Sequence, residues 1–129
     1  MKLSDLETSL LKLGPSFKKS ATPTNDALRL EVDDVDVTVV PDGTNADRIT
    51  VCCLFGPIPP DQMHEVLRGV VAQNVELMRQ GSTAAFGVSD GELMYAFSTD
   101  ISNEPALVQA LGGVMRSAAA PAQQWQQTL

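Results

Sequence analysis

The residues able to do chemistry are few in this sequence, and their spacing does not build a catalytic or metal site. His64 is the only histidine, and at the start of a predicted helix it is expected on the surface. Four acidic residues between positions 31 and 36 lack the order and the closing glutamate of a calcium-binding loop. They are Glu31, Asp33, Asp34 and Asp36. Ser89 lies in no Gly-x-Ser-x-Gly turn, and no glycine-rich nucleotide-binding motif is present. We therefore expect a protein that is not an enzyme and that has no metal and no cofactor.

Composition narrows the class of protein further. A chain of 129 residues suits one domain, 1–129, with a core of its own. The net charge of −7 works against binding to nucleic-acid phosphates or to anionic membranes. The N-terminus does not have the pattern of a signal peptide, and no stretch is long and apolar enough to span a membrane. Cys52 and Cys53 are expected to be buried free thiols in a reducing cytoplasm.

The first half of the chain predicts one helix and three strands. The helix begins at the capping-box spacing Ser4-Asp5-Leu6-Glu7 and ends at Gly14-Pro15. Residues 15–27 carry turn-forming residues without periodicity and are expected to form a loop. Apolar alternation then changes phase at Asp33-Asp34, as a two-residue hairpin turn requires, and sets Glu31 opposite Asp36. A third strand is predicted over 49–55.

The second half predicts a helix, a hairpin and a last helix. The helix begins near Pro59-Pro60-Asp61 and ends at Gly81, with a wide apolar stripe at helical spacing. The last helix is expected to be capped by Ser102 or Asn103, and Pro121 is expected to kink or break it before Trp125. The order is α-β-β-β-α-β-β-α, a single α+β domain with a twisted antiparallel sheet and three helices.

The hairpin between these helices is the best-specified local structure, in the stretch AAFGVSDGELMYAF (residues 84–97). Asp90-Gly91 favours a type I′ turn, because both central residues need positive φ. A two-residue turn pairs Phe86 with Tyr95 and puts five apolar side chains on one face: Phe86, Val88, Leu93, Tyr95 and Phe97. The other face carries Ala85, Gly87, Met94 and Ala96 and is not polar either. Such a ribbon must be covered by its own helices on one side and by something else on the other, which indicates a protein that works through apolar surface.

Asn74 is the polar residue that stands out, because it lies on the apolar stripe of the second helix between Val70, Val71 and Met78. Two interpretations remain open from the residues. The amide is satisfied within the core, or it fixes the register of this helix against a partner helix, as single buried asparagines do in coiled coils.

The element order, the length and the acidity resemble the class I type III secretion chaperones, also called the Tir chaperone family. The resemblance is most specific over residues 62–111, where a helix ending VVAQNVELM precedes FGVSDGELMYAF and a third helix follows TDISNEP. Trp125 matches a tryptophan near the C-terminus of the family, and the first 55 residues match by pattern. Pro121 and the long loop over 14–27 depart from the family.

The resemblance implies a non-catalytic homodimer in the cytoplasm of a bacterium with a type III secretion system. Such a chaperone binds the N-terminal segment of an effector in extended form and keeps it competent for secretion. We expect the dimer to form mainly on the second helix, through Met63, Val66, Leu67, Val70 and Asn74. The effector is expected to contact the first helix and the sheet, through Leu3, Leu6, Leu10, Leu30, Val37 and Met94.

Other interpretations remain open. The leucines of the first helix would have no binding role if they only pack the core. A protein of the same fold could be a scaffold or regulator that binds a folded partner. A dimeric α+β domain with a long helix on its sheet could instead enclose an acyl chain, although no acid, base or nucleophile is paired in a cleft.

Overall fold

The computed structural model describes residues 3–20, 27–44, 47–102 and 104–128. The helices are α1 (Leu3–Leu11), α2 (Met63–Arg79) and α3 (Pro105–Thr128), and a short 3-10 turn (Pro60–Gln62) precedes α2. The strands are β1 (Phe17–Lys19), β2 (Leu28–Val32), β3 (Val35–Pro41), β4 (Arg48–Pro57), β5 (Ala85–Ser89) and β6 (Glu92–Asp100). They form one antiparallel sheet in the order β1-β2-β3-β4-β6-β5. The predicted α+β fold is confirmed, with one strand more than expected.

Both predicted hairpin turns are present, with the predicted registers. Asp33 and Asp34 have φ of 49° and 66°, and Asp90 and Gly91 have φ of 53° and 76°. Positive φ at both central positions is the requirement of a type I′ turn, which matches the right-handed twist of the flanking strands. Glu31 lies opposite Asp36, and Phe86 lies opposite Tyr95. These local signals fix which side chains face the core.

The core lies between one face of the sheet and the helices. Buried positions alternate with half-buried or exposed ones along β2, β3 and β4, so the helices cover one face. Leu6 and Leu10 of α1 are 1% and 0% exposed, and Met115 of α3 is fully buried. α3 lies mainly over β4 and also contacts α1, whereas α2 packs along β5. The two longer helices are therefore separated by the width of β6.

The structure contradicts part of the expected loop over residues 15–27 and one of the two effects, a break, that were expected at Pro121. Residues 17–19 form the edge strand β1 within the predicted loop, because backbone pairing with β2 (Phe17 opposite Val32) needs no sequence periodicity; residues 21–26 lie outside the described residues. Pro121 does not break α3, which continues to Thr128. Ala119 and Ala122 on either side of Pro121 are fully buried, and this packing holds the helix where one backbone bond is lost. The expected cap at Asn103 also lies outside the described residues, while Ser102 Oγ accepts the N–H of Glu104 at 3.2 Å.

Two adjacent glycines of α3 provide a matched test of how closely this helix packs. A Cβ on Gly112 would overlap Leu13 Cδ1 and lie 3.2 Å from Phe17 Cζ, whereas a Cβ on Gly113 meets nothing within 4 Å. We expect Gly112→Ala to lower the free energy of unfolding by about 1 kcal/mol. The exposed end of Leu13 can move aside, but the buried ring of Phe17 cannot do so freely. Gly113→Ala should raise the free energy of unfolding by about 0.5–1 kcal/mol. Urea unfolding of both variants measures the difference, and equal shifts would contradict the close approach of α3 to β1.

Candidate functional site

An apolar trough runs between α2 and α3 over β6, and aromatic rings form its floor. The ring centroids of Phe55 and Phe86 are 5.9 Å apart, those of Phe86 and Tyr95 are 4.8 Å apart, and those of Tyr95 and Phe97 are 6.4 Å apart. Phe55 and Phe97 are buried, while Phe86 and Tyr95 are half-buried. Burial also raises the pKa of the Tyr95 hydroxyl, which keeps that side chain neutral. The hairpin face predicted from the sequence is therefore the floor of an open site.

The trough consists of three connected cavities. The middle one, about 460 Å³, shares Phe97 and Val114 with a second of about 460 Å³ toward the start of α3. It shares Phe86 with a third of about 290 Å³ beside Trp125. Leu107 and Val114 on the α3 wall are 52% and 51% exposed. Such exposure of large apolar side chains beside an apolar cavity is typical of a binding groove.

The lining of the trough is almost uncharged. Among the described residues that line the three cavities, Asp100 is the only one with a formal charge, and its carboxylate lies 3.4 Å from Nη1 of Arg48. Most of the other polar groups along the walls are hydroxyls. A molecule held in the trough would therefore be bound through apolar area rather than through fixed ionic contacts.

Asn74 joins α2 to the edge strand β5. Its Nδ2 donates to the carbonyl of Phe86 at 2.9 Å, and the N–H of Phe86 donates to Asn74 Oδ1 at 2.7 Å. Of the two interpretations of this residue, the structure shows an amide satisfied within the chain. Its two bonds occupy the outward-facing backbone groups of β5 at Phe86, and this protects an edge that would otherwise be open to another strand.

The apolar stripe of α2 is wider than the part that its own fold covers. Met63, Val66 and Val70 are half-buried and pack on the core. A second row on the same helix is exposed: Leu67 (43%), Val71 (64%), Val75 (38%) and Met78 (72%). Of the residues predicted for a dimer interface, only Leu67 belongs to this second row. Val71, Val75 and Met78 lie on the stripe that helical spacing predicts, but they are not among the predicted interface residues.

The residues predicted to contact an effector do not come together on one surface. Leu6, Leu10, Leu30 and Val37 are at most 1% exposed in the core, and Leu3 is half-buried against it. Met94 lies on the opposite face of the sheet, where Cys52 Sγ contacts its Sδ at 3.8 Å. A role of these residues in binding stays a prediction, and for the four core residues it would require displacement from the core.

The two thiols and His64 are not among the described residues that line the trough. Burial raises the pKa of the Cys53 thiol to about 12 and also raises that of the half-buried Cys52, so neither is an activated thiolate. His64 is exposed on α2. Within residues 3–20, 27–44, 47–102 and 104–128, no three His, Cys, Asp or Glu residues are grouped to hold a metal. No helix in the same ranges has the length and hydropathy of a membrane span.

Solved structures with the same fold contain proteins bound to one another. A chain of the ExsC–ExsE complex aligns with a TM-score of 0.65 at 17% identity, over 98% of this chain and 96% of that chain. A chain of the HopA1–SchA chaperone–effector complex aligns with a TM-score of 0.59 at 16% identity, over 98% of both chains. No family model matches the sequence, and no curated protein matches it significantly. The chain thus has the secretion-chaperone-like fold that its order of elements predicted.

Proposed function

We propose that this protein is a class I type III secretion chaperone of the bacterial cytoplasm. It binds the N-terminal segment of an effector, keeps that segment soluble and competent for secretion, and catalyses no reaction. The observation that carries the proposal is the open aromatic trough, whose described lining residues include no cysteine, no histidine and a single charged side chain. The proposal is supported by the fold that this protein shares with a chain of a chaperone–effector complex.

Apolar contact suits the task of holding an unfolded segment. Each well-buried leucine, isoleucine or valine of the client contributes about 1.5–3 kcal/mol before the cost of ordering the chain is subtracted. Such contacts are not directional, so one trough accepts different sequences of similar pattern. The net charge of −7 keeps a protein with exposed apolar rows in solution and attracts basic client segments.

The functional unit in this proposal is a homodimer that pairs through the exposed row of α2. Leu67, Val71, Val75 and Met78 lie at spacings of four, four and three residues, which form one continuous seam on a helix. An uncovered seam of this kind on a helix that already packs its own sheet favours a second helix as its cover. The remaining predicted interface residues would then hold α2 against its own sheet instead of contacting the partner. They are Met63, Val66, Val70 and Asn74.

Co-expression tests the function directly. The chain is produced with the N-terminal part of a candidate effector encoded beside the chaperone gene, and with a folded domain of the same effector as the comparison. We expect the N-terminal part to co-purify with the chain and to gain protection from proteolysis, because its apolar residues are held in the trough. Capture of the folded domain alone would support a scaffold or regulator instead. Recovery of a bound lipid by native mass spectrometry, without client capture, would indicate an acyl-ligand-binding protein.

A further inference from the structure

We propose that the trough binds its client segment as an amphipathic α-helix rather than as an extended chain. The polar face of that helix is expected to be basic. This inference rests on the chaperone function proposed above and specifies the conformation and charge of the segment bound over β6.

The backbone of an extended client would find few partners in the trough. β6 is paired with β4 on one side and with β5 on the other, and both walls are helices whose backbone groups bond internally. Each extended residue brings one N–H and one C=O, which cost free energy when they are buried without a partner. A helix satisfies these groups within itself, so apolar side chains can enter the trough without that cost.

Hydroxyl groups along the trough do not make up for the missing partners. Ser82 Oγ accepts the N–H of Ala84 at 3.0 Å, and Thr83 Oγ1 donates to the carbonyl of Ser98 at 3.1 Å. Ser102 Oγ accepts the N–H of Glu104 at 3.2 Å. Three of the hydroxyls that line the trough are therefore already engaged within the chain.

Strand addition beside the trough is also disfavoured. The nearest sheet edge is β5, and its outward backbone groups at Phe86 are occupied by the amide of Asn74. An incoming strand would have to displace two hydrogen bonds at the second residue of a five-residue edge strand. A helix lying in the trough leaves them intact.

The dimensions and charges define the helix that fits. The floor from Leu93 to Asp100 is about 23 Å long at 3.3 Å per strand residue, which corresponds to about 15 helical residues. Apolar side chains at helical spacing would face the aromatic rings, and the opposite face of the client helix would remain in solvent. The chain carries a net charge of −7, and no basic side chain is among the described residues that line the trough. Basic residues on the solvent face of the client helix are therefore favoured.

This surface is separate from the proposed dimer seam. Val66 and Gln73 line the end of the trough beside Trp125. At about 100° per residue, Val71 and Val75 lie roughly half a turn further round α2. One helix can therefore form a wall of the trough and still present its other side to a second copy of the chain.

Two synthetic peptides of identical composition distinguish the helical from the extended mode. Each has about 15 residues of leucine, lysine and glutamine; one spaces its leucines by three and four residues, and the other alternates leucine with polar residues. Fluorescence anisotropy measures the affinity for the wild-type chain, and circular dichroism of the mixtures measures peptide helicity. We expect the helically spaced peptide to bind at least about tenfold more tightly and to gain helicity on binding.

Three variants of α3 test whether the peptide binds in the trough. Val114→Glu places a charge on the wall where the middle and second cavities meet, and Leu107→Glu does the same nearer the start of α3. Ala120→Glu adds the same charge at an exposed position of the same helix outside the described lining. We expect each wall variant to weaken peptide binding at least about tenfold, and the control to change it less than about twofold.

Three results would overturn the proposal. They are equal or tighter binding of the alternating peptide, no binding of either peptide, and a loss of dimer by Val114→Glu without peptide, which would place a second copy in the trough. The chaperone function is judged separately. A Val114→Glu protein that still captures its effector fully would leave the function standing and the trough assignment wrong, whereas wild-type protein that captures no effector would contradict the function itself.

Discussion

Leu10→Asp is expected to abolish the native fold. Leu10 is 0% exposed in the core formed by α1, α3 and the sheet. Truncating a buried leucine alone costs about 2–5 kcal/mol, and an unpaired carboxylate in its place adds several kcal/mol or takes up a proton. The sum is comparable with the whole stability of a domain, about 5–15 kcal/mol. Circular dichroism and thermal unfolding should show loss of the cooperative transition or a large fall in Tm.

Thr8→Asp is the matched control for this prediction. It adds the same charge to the same helix at an exposed position, and we expect a change in the free energy of unfolding within about 0.5 kcal/mol. A Leu10→Asp protein that keeps a native spectrum and a native Tm while losing its effector would contradict the buried position. That result would instead support the sequence-based expectation that the stripe of α1 contacts the client.

Local signals predicted the turns and the registers because their physical cause is local. Two adjacent residues with positive φ restrict the choice of amino acid and set the pairing of both flanking strands, as Asp33-Asp34 and Asp90-Gly91 do. The apolar face of the second hairpin was therefore predicted residue by residue. What covers that face depends on elements distant in sequence, and a hairpin pattern carries no such information.

The role of α1 could not be predicted either, because a local pattern does not show what covers an apolar face. Helical spacing of Leu3, Leu6 and Leu10 identifies an apolar stripe, but a stripe that packs the core and a stripe that binds a client have the same spacing. In the structure the stripe is covered by α3 and by the sheet. The edge strand β1 could not be predicted either, since it depends on backbone pairing with β2 within a segment that has no alternation.

The candidate site was predicted in part. Its aromatic floor follows from the hairpin register, whereas the trough itself exists because α3 lies over β4 and α2 lies along β5. Helix placement on a sheet is decided by tertiary packing, and Pro121 shows how such packing overrides a local preference. The width of the α2 stripe was visible in the sequence, but only the fold separates the half that packs inward from the half that remains exposed.

Val71→Glu is expected to convert a dimer into a folded monomer. Val71 is 64% exposed in the single chain, so the glutamate is solvated in the monomer and α2 keeps its contacts with the core. In the proposed dimer the same carboxylate would be buried in an apolar seam, at a cost of about 3 kcal/mol or more, which is more than about a hundredfold in the dimer Kd. Sedimentation at micromolar concentration measures the change, and circular dichroism verifies that the fold is retained. Val70→Glu is less informative, because Val70 is half-buried against its own core and the charge would also weaken the monomer.

Gln73→Glu provides the control on the same helix. Gln73 is exposed and lines the end of the trough, and at about 100° per residue it lies on the side of α2 roughly opposite Val71 and Val75. The variant carries the same added charge on the same helix, so it should remain a dimer if the apolar seam, rather than net charge, holds the subunits together. Dissociation of both variants would indicate that charge repulsion decides the assembly. A wild-type chain that is monomeric at micromolar concentration would exclude the seam as a stable interface, and the exposed row of α2 would then be free to contact the client.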